Sequence, residues 1–597
     1  MPGVTKDRLI LATLLLIAAA TFTAGITWGL PSRRADPFLF GSRTPWTGEK
    51  ILALTQSADE QWEDPSRGAD VASGALTRPS QRDQPICVNA TDAQRAQIVR
   101  RYRLFTYQPD EMITLMSLAK MHPGSGDLDP RLYQYGGLWV YAVGALLKAA
   151  SVVHLVQLRS GPAGLAFYLD HPAAFARFYV VARLYAAAWG LVGVWAVFRI
   201  VRLLTGQAGS AALAALLFSL MPVVVNMAHE AKPHLPGAVI QLLAVLAAVR
   251  YVRTGRMRHA LLAGAACGAA FAMVLSTWPI FCVLPLMTLL RPIPWQQRLK
   301  LTAAATVTGL ALYAATNPYV VIHQFWHHEV FQSNIGNSTA MYKVGRPIEG
   351  LLNEVRLVAD GMSAPLALAG VIGAIVLGLR AVSVRNDRSE RENNRRATGL
   401  LLAAPALLVA GQFALVGAGK PGEFGRFMLL PDIFLMIEAV VVLATYLPEG
   451  AEQPPRGLAW SQNLRGVLRT IAATILLAAT GLGGFAYLTG FYADSQPQNS
   501  RLEQARQLQV RYQAGERSLA VTADPAPYCL PPVNLFDWTI IKIPALNDSD
   551  SKRAPADLLV RPVDKSSLLS TPISWANKPF EELSTKDANE HDHGKQE

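Results

Sequence analysis

The sequence predicts an all-α polytopic membrane protein. It would have about eleven transmembrane helices, a large first exterior loop containing juxtamembrane helices, and a small exterior C-terminal α/β region. Three observations carry that prediction. Only 16% of the 597 residues are charged and 51% are hydrophobic, whereas a soluble chain carries about 25% charged residues. The apolar residues gather in stretches near the roughly 20 residues that cross a hydrocarbon core. The connections between those stretches alternate between arginine-rich and less basic, as expected of a chain that crosses a membrane repeatedly.

The N-terminal MPGVTKDR places Lys6 and Arg8 before an apolar run over about 9–29. That run exceeds the roughly 7–15 residues of a cleaved signal core, so residues 1–29 are expected to be a retained first transmembrane helix. Residues 30–177 then form the exterior loop with its juxtamembrane helices and acidic motif, and 178–490 the transmembrane helical domain. Within that domain apolar segments run over 178–201, 208–228, 234–252, 259–277, 278–290, 300–321, 363–380, 398–418, 426–446 and 467–490. Arg199 and Arg202, Arg250 to Arg258, Arg291 to Lys300, the six arginines from Arg380 to Arg396, and Arg456 to Arg469 mark the cytoplasmic connections. HEAKPH (229–234), 322–362 and GKPGEFGR (419–426) mark the exterior ones.

The segment GLWVYAVGALLKAASVVHLVQL (137–158) is apolar but holds Lys148 and His154. Were it to cross, every later arginine-rich loop would move outside. It is therefore expected to lie on, or dip into, the outer leaflet. After the last span, 491–580 forms the exterior C-terminal region, with RLEQARQLQVRYQ (501–513) as a surface helix and SLAVTA (518–523) as a strand. Residues 581–597 are expected to be a disordered tail.

The net charge of +12 reads as membrane topology and implies no nucleic-acid partner. The spacing of the four cysteines matches no metal motif. Cys267 and Cys282 read as small hydrophobes. Cys87 and Cys529 fall on the oxidising side, where a bridge between them stays open.

The chemistry is expected at TYQPDEMITLMSLAKM (106–121), which places Asp110 and Glu111 between Pro109 and an apolar run. The structural reading is a helix start: proline suits the first position, and acids in the first turn complement the dipole. The functional reading rests on the pair's place in an exterior loop beside membrane-surface helices. Two adjacent carboxylates near a low-dielectric boundary are also expected to push one pKa upward.

Downstream, Pro130, Tyr133, Tyr135 and Gly136 form a P-x-x-Y-x-Y-G-x-L stretch. With the acidic pair, it resembles the GT-C glycosyltransferases. RLYAAAWGLVGVWAVFRIVRLLTG and AALAALLFSLMPVVVNMAHEAKPH extend the resemblance over about residues 100–250. It implies a transferase that takes sugar from a polyprenyl-phosphate donor, on the outer face of what composition suggests is a bacterial plasma membrane. The acceptor would be a hydroxyl or amine on a glycan, lipid or protein. The resemblance also implies that the first-loop acid is the general base, carried onto Asp110 with Glu111 as helper, or that it helps hold a metal.

A departing phosphate needs cationic stabilisation rather than a strong acid. The candidates are Lys232 in HEAKPH, Arg183, and Lys420 and Arg426 in GKPGEFGRFMLLP, which resembles a late exterior element of the same family. Snorkelling to the interface is the alternative for both arginines. In HEAKPH the His spacing is HExxxH with Pro233 inside, which no single helix face can present, so a zinc protease is excluded. The GT-C pattern has an Asp where this chain has His234. That leaves no certain cofactor, although His229, Glu230 and His234 together suit a divalent cation such as Mg or Mn. His323, His327 and His328 are expected to shape the membrane-interface pocket.

Two other classes compete with the enzyme: a transporter or flippase for a lipid-linked or anionic substrate, and an envelope scaffold. A transporter would carry ionisable residues midway through its spans. Glu438 is the clearest such residue here.

Overall fold

The computed structural model describes residues 2–59, 86–342, 344–383, 390–420, 422–446, 459–511, 517–521, 527, 530–543, 558–562 and 580–584. It is a helical bundle. Six helices are long and apolar enough to cross a bilayer: Pro172–Thr205, His234–Thr254, Trp295–Thr316, Asn393–Val416, Phe424–Thr445 and Gly466–Ser495. The number rises to eight if each of two bent pairs is one span. The helix Pro2–Thr23 and the shorter Met257–Met273 and Leu275–Leu289 occupy the remaining apolar stretches of the expected eleven.

The bends have local causes. Ala208–Leu220 and Pro222–Ala228 meet at 60°, because Pro222 cannot continue the hydrogen-bond ladder and Met221 is extended (φ −64°, ψ 125°). Pro347–Met362 turns by 115° into the next helix at Ser363, a non-glycine residue with φ 80°.

The interior packs through small residues, which let helices approach where lipid offers no hydrophobic drive between them. A Cβ on Gly190 would lie 2.8 Å from the Phe22 ring, and one on Gly193 would lie 2.6 Å from Phe218. Large apolar side chains such as Val307, Leu368, Ile475 and Leu482 stay exposed on the bundle's outside. Such exposed apolar side chains on helices long enough to cross a bilayer suit a surface that faces lipid.

The arginine-rich connections collect at one end. Arg202 Nε pairs with Asp7 at 3.0 Å, Arg395 donates to Thr205 O at 3.0 Å, and Arg469 reaches Gln207 and Ser210, each at 3.1 Å. At the other end lie the loop helices Gly48–Asp59, Asp92–Leu104, Glu111–Ala119 and Gly161–Asp170. Gly137–Val152 is 16 residues long, or about 24 Å, short of a full crossing. Its start is pressed against the bundle: Gly136 N donates to Met273 O at 3.0 Å.

Five strands complete the fold: β1 (Ile86–Cys87), β2 (Arg517–Val521), β3 (Trp538–Lys542), β4 (Leu558–Pro562) and β5 (Phe580–Ser584), in the order β1-β3-β2-β4-β5. The β2–β3 and β2–β4 pairs are parallel, and the two outer pairs are antiparallel. The first loop therefore joins the C-terminal region through β1. Buried Asn89 locks that joint, donating to Leu535 O and Trp538 O and accepting from Ile540 N. β5 occupies the beginning of the expected tail; residues 585–597 lie outside the described residues. Cys87 is a free thiol, and Cys529 lies outside the described residues.

Candidate active site

The turn after Asp92–Leu104 presents the two acids in opposite ways. Asp110 is the N-cap of the helix Glu111–Ala119 and makes no capping bond with its side chain. The chain enters the helix there, two residues later than a proline at its first position would place it.

Glu111 points inward and is fully buried. Arg183, also fully buried, donates Nε to Glu111 Oε1 at 2.8 Å and Nη2 to Oε2 at 2.7 Å. Ala231 N donates to Oε1 at 2.6 Å, and Thr106 Oγ1 to Oε2. The remaining Arg183 bonds go to Ile26 O and Trp28 O, both at 2.8 Å. These two residues therefore correct the sequence expectation. Glu111 and Arg183 form a saturated structural pair tying the first span, the acidic loop and the 229–233 loop together, and neither lines the cavity described below. Sequence spacing could not reveal a pair 72 residues apart.

Asp110 faces outward, its side chain 30% exposed. Its Oδ2 lies 3.2 Å from Lys232 Nζ and 3.2 Å from Arg426 Nη2. Lys232 is fully buried and lies 3.0 Å from Glu230 Oε2 as well. Two carboxylates and two cations thus balance. Burial pushes the Asp110 carboxyl up, but the Lys232 and Arg426 charges outweigh it and hold the group down to about 2. Asp110 therefore does not carry the upward shift expected of one acid in the pair, because Lys232 and Arg426 stand beside it.

Beside Asp110 opens a cavity of about 310 Å³. Tyr135, His234 and Arg426 line it near Asp110, and Val274, Leu275, Trp278 and Phe413 provide apolar wall. Tyr135 is held neutral by burial and by the Asp110 charge, its pKa well above the ordinary value. His234 sits edge-on to Tyr135 (6.1 Å) and to Phe427 (5.3 Å), and its Nδ1 is buried without a hydrogen-bond partner. Arg426 lies over the Phe424 and Phe427 rings at 5.1 and 5.4 Å, which fixes its guanidinium toward Asp110.

Of the residues singled out in the sequence, Asp110, Glu230, Lys232, His234 and Arg426 come together. His229 does not join them: it stacks on Phe491 (4.5 Å), its ring nitrogens each 2.8 Å from the Val225 and Ala24 carbonyls. Lys420 is held aside, its Nζ 5.1 Å from the Phe424 ring centroid, and is absent from the cavity wall. His323 pairs with Asp129 at 2.7 Å and does not line the cavity either. Sequence reasoning missed Gln134, Tyr342 and Gln412, which all line it. Only Gln412 carried a signal, as a lone amide in an apolar run.

A divalent cation does not fit this arrangement. The Lys232 ammonium occupies the position between the Asp110 and Glu230 carboxylates that a metal would need. Among the described residues, no three His, Cys, Asp or Glu side chains converge as metal ligands.

Residues 175–321 match the family model described as dolichyl-phosphate-mannose-protein mannosyltransferase. No curated protein matches the chain. Among solved structures, ArnT from Cupriavidus metallidurans bound to undecaprenyl phosphate aligns with 14% identity and a TM-score of 0.41, covering 79% of this chain and 93% of that one. The apo state of the same protein aligns with 14% identity and a TM-score of 0.39, covering 86% and 95%. The family-model match spans 147 of the 597 residues, among them Arg183, Lys232 and His234, and the apolar helices make the chain a multi-pass membrane protein.

Proposed function

We propose that the protein transfers a sugar from a polyprenyl-phosphate donor to a hydroxyl or amine acceptor on a glycan, lipid or protein, with Asp110 as general base. The observation that carries this reading is the position of Asp110. It is a partly exposed carboxylate between two cations, in the wall of a cavity that is otherwise largely apolar. An isoprenoid needs the wall, its phosphate needs the cations, and an acceptor needs the carboxylate.

The reaction balances as an inverting displacement. The acceptor oxygen or nitrogen forms a bond to the anomeric carbon, and its proton passes to Asp110. The bond from the anomeric carbon to the phosphate oxygen breaks. The phosphodiester, with one negative charge, leaves as a monoester that gains a second. Lys232 and Arg426 stabilise that growing charge, and the forked guanidinium suits two phosphate oxygens. With its pKa near 2, the carboxylate is a weak base in the free protein. A bound phosphate partly neutralises both cations and so raises the basicity of Asp110 once the donor is in place.

The same reading puts the Asp110 end outside, in a bacterial plasma membrane. The exterior loop would span 30–177 and the transmembrane domain 178–490, flanked by the first span 1–29, a C-terminal region 491–580 and a tail. The arginines gathered at the opposite end of the bundle support that orientation.

The test is transfer from a radiolabelled polyprenyl-phosphate sugar in membranes. Asp110→Asn should lower the rate by about 100-fold or more at unchanged protein level. Wild-type rates in Asp110→Asn and in the Asp110→Asn, Glu111→Gln double variant would remove the base assignment.

A further inference from the structure

The helix Glu390–Val416 presents Val409, Gln412, Phe413 and Val416 to the cavity. The spacing i, i+3, i+4, i+7 is one face of a helix. Three of the four are apolar, as a lipid-facing wall requires, and the fourth is an amide. Gln412 Oε1 is buried with no hydrogen-bond partner. A glutamine kept at membrane depth to join two helices would hydrogen-bond across the interface; this oxygen does not. His234 Nδ1, on the same cavity, is likewise buried and without a partner. A buried polar atom left unmatched is costly, and a ligand group that donates or accepts a hydrogen bond removes the cost.

The charges on the same wall are already matched. Among the described lining residues, Asp110 and Arg426 are the acid and the guanidinium, and they face each other. The other polar lining residues bring amide, hydroxyl and imidazole groups: Gln134, Tyr135, His234, Ser276, Ser338 and Tyr342. The wall therefore offers amides and hydroxyls to a sugar, and no further carboxylate to meet a sugar ammonium.

We propose that Gln412 reads a hydroxyl of the donor sugar and that the cavity selects an uncharged hexose or pentose over an amino sugar. This rests on the polyprenyl-phosphate reading above and names the class of sugar that reading leaves open. Gln412 is here a specificity-determining residue: it contacts the sugar and takes no part in the phosphate or proton chemistry.

The test is equilibrium binding to the full-length protein in detergent, with three probes: decaprenyl phosphate, decaprenyl phosphate bearing a neutral hexose, and decaprenyl phosphate bearing an aminopentose. The wild type should bind the hexose conjugate about 10- to 100-fold more tightly than the bare lipid, and should show no such gain for the aminopentose. Gln412→Leu should lose the gain while keeping the bare-lipid affinity and the thermal midpoint. A purely structural role would move those two quantities and leave the gain. An equal or larger gain for the aminopentose in the wild type overturns the proposal without any variant. So does a gain that survives intact in Gln412→Leu. If none of the three probes binds, the donor reading itself fails, and the sugar assignment falls with it.

Discussion

Arg183 holds the Glu111 carboxylate at two points, 2.8 and 2.7 Å, with neither side chain exposed to solvent. One residue earlier in the chain, Asp110 faces a cavity between two other cations. The neighbouring acids therefore have separate partners, and their variants should fail in separate ways. Glu111→Gln leaves a buried guanidinium short of its counter-charge, a loss of about 3–5 kcal/mol. It should show as a lowered thermal midpoint and reduced accumulation in membranes. Asp110→Asn should keep the midpoint within a few degrees and lose transfer. Equal thermal destabilisation in the two variants would argue against this division.

The pH response follows from the sign of the Asp110 shift. Its folded pKa, about 2, lies below the ordinary 3.8, so the folded state binds this proton less readily than the unfolded chain. The stability it contributes is complete above about pH 4 and is lost as pH falls toward 2. The acid limb of the rate profile should accordingly lie far below neutrality. Arg426→Gln removes one of the two cations while burial remains. Its acid limb should move to higher pH by about one unit or more, measured as kcat/KM against pH. An unmoved limb would mean that another group sets it.

Gly136 is needed for the space it leaves. A Cβ there would lie 1.9 Å from Ala272 O, a backbone atom that cannot step aside. Gly136→Ala should push Tyr135 and the following helix off the bundle, at about 1–3 kcal/mol or more. Thermal denaturation in detergent checks the stability, and decaprenyl phosphate binding checks the cavity. Gly124 is the control, because nothing lies within 4 Å of a Cβ there, and Gly124→Ala should be silent.

The same open position reports sidedness. Gly124→Cys, at the tip of the loop that leads to Tyr135, should react with a membrane-impermeant maleimide added to intact cells. Reaction only after permeabilisation would place the Asp110 end in the cytoplasm and remove the exterior transfer.

The bundle and the loop bearing the acids were legible in the sequence because they depend on local properties. A run of some 20 apolar residues must hydrogen-bond internally in lipid, whatever its neighbours, and arginine placement sets which ends gather together. Pro109 ahead of two acids likewise marked a helix start. The roles within the acidic pair were not legible: Asp110 and Glu111 are equivalent by composition and spacing, and only contacts from distant helices separate them. Arg183 and Arg426 both sit near span ends, yet one is saturated by Glu111 and two carbonyls while the other faces the cavity. His229 and Lys420 carried suitable chemistry but point elsewhere. Gln412 was a visible anomaly in an apolar run, but its meaning came only from the cavity beside it.

The chain by itself determined that it is a helical membrane protein, which apolar stretches form its long helices, and which loop holds the acids. Tertiary structure alone decided which acid is structural, which cations meet the other, and that Lys232 stands between the Asp110 and Glu230 carboxylates. The physical reason is range. Hydrophobic periodicity and turn chemistry act over a few residues, whereas a site's charges act through space between segments more than a hundred residues apart.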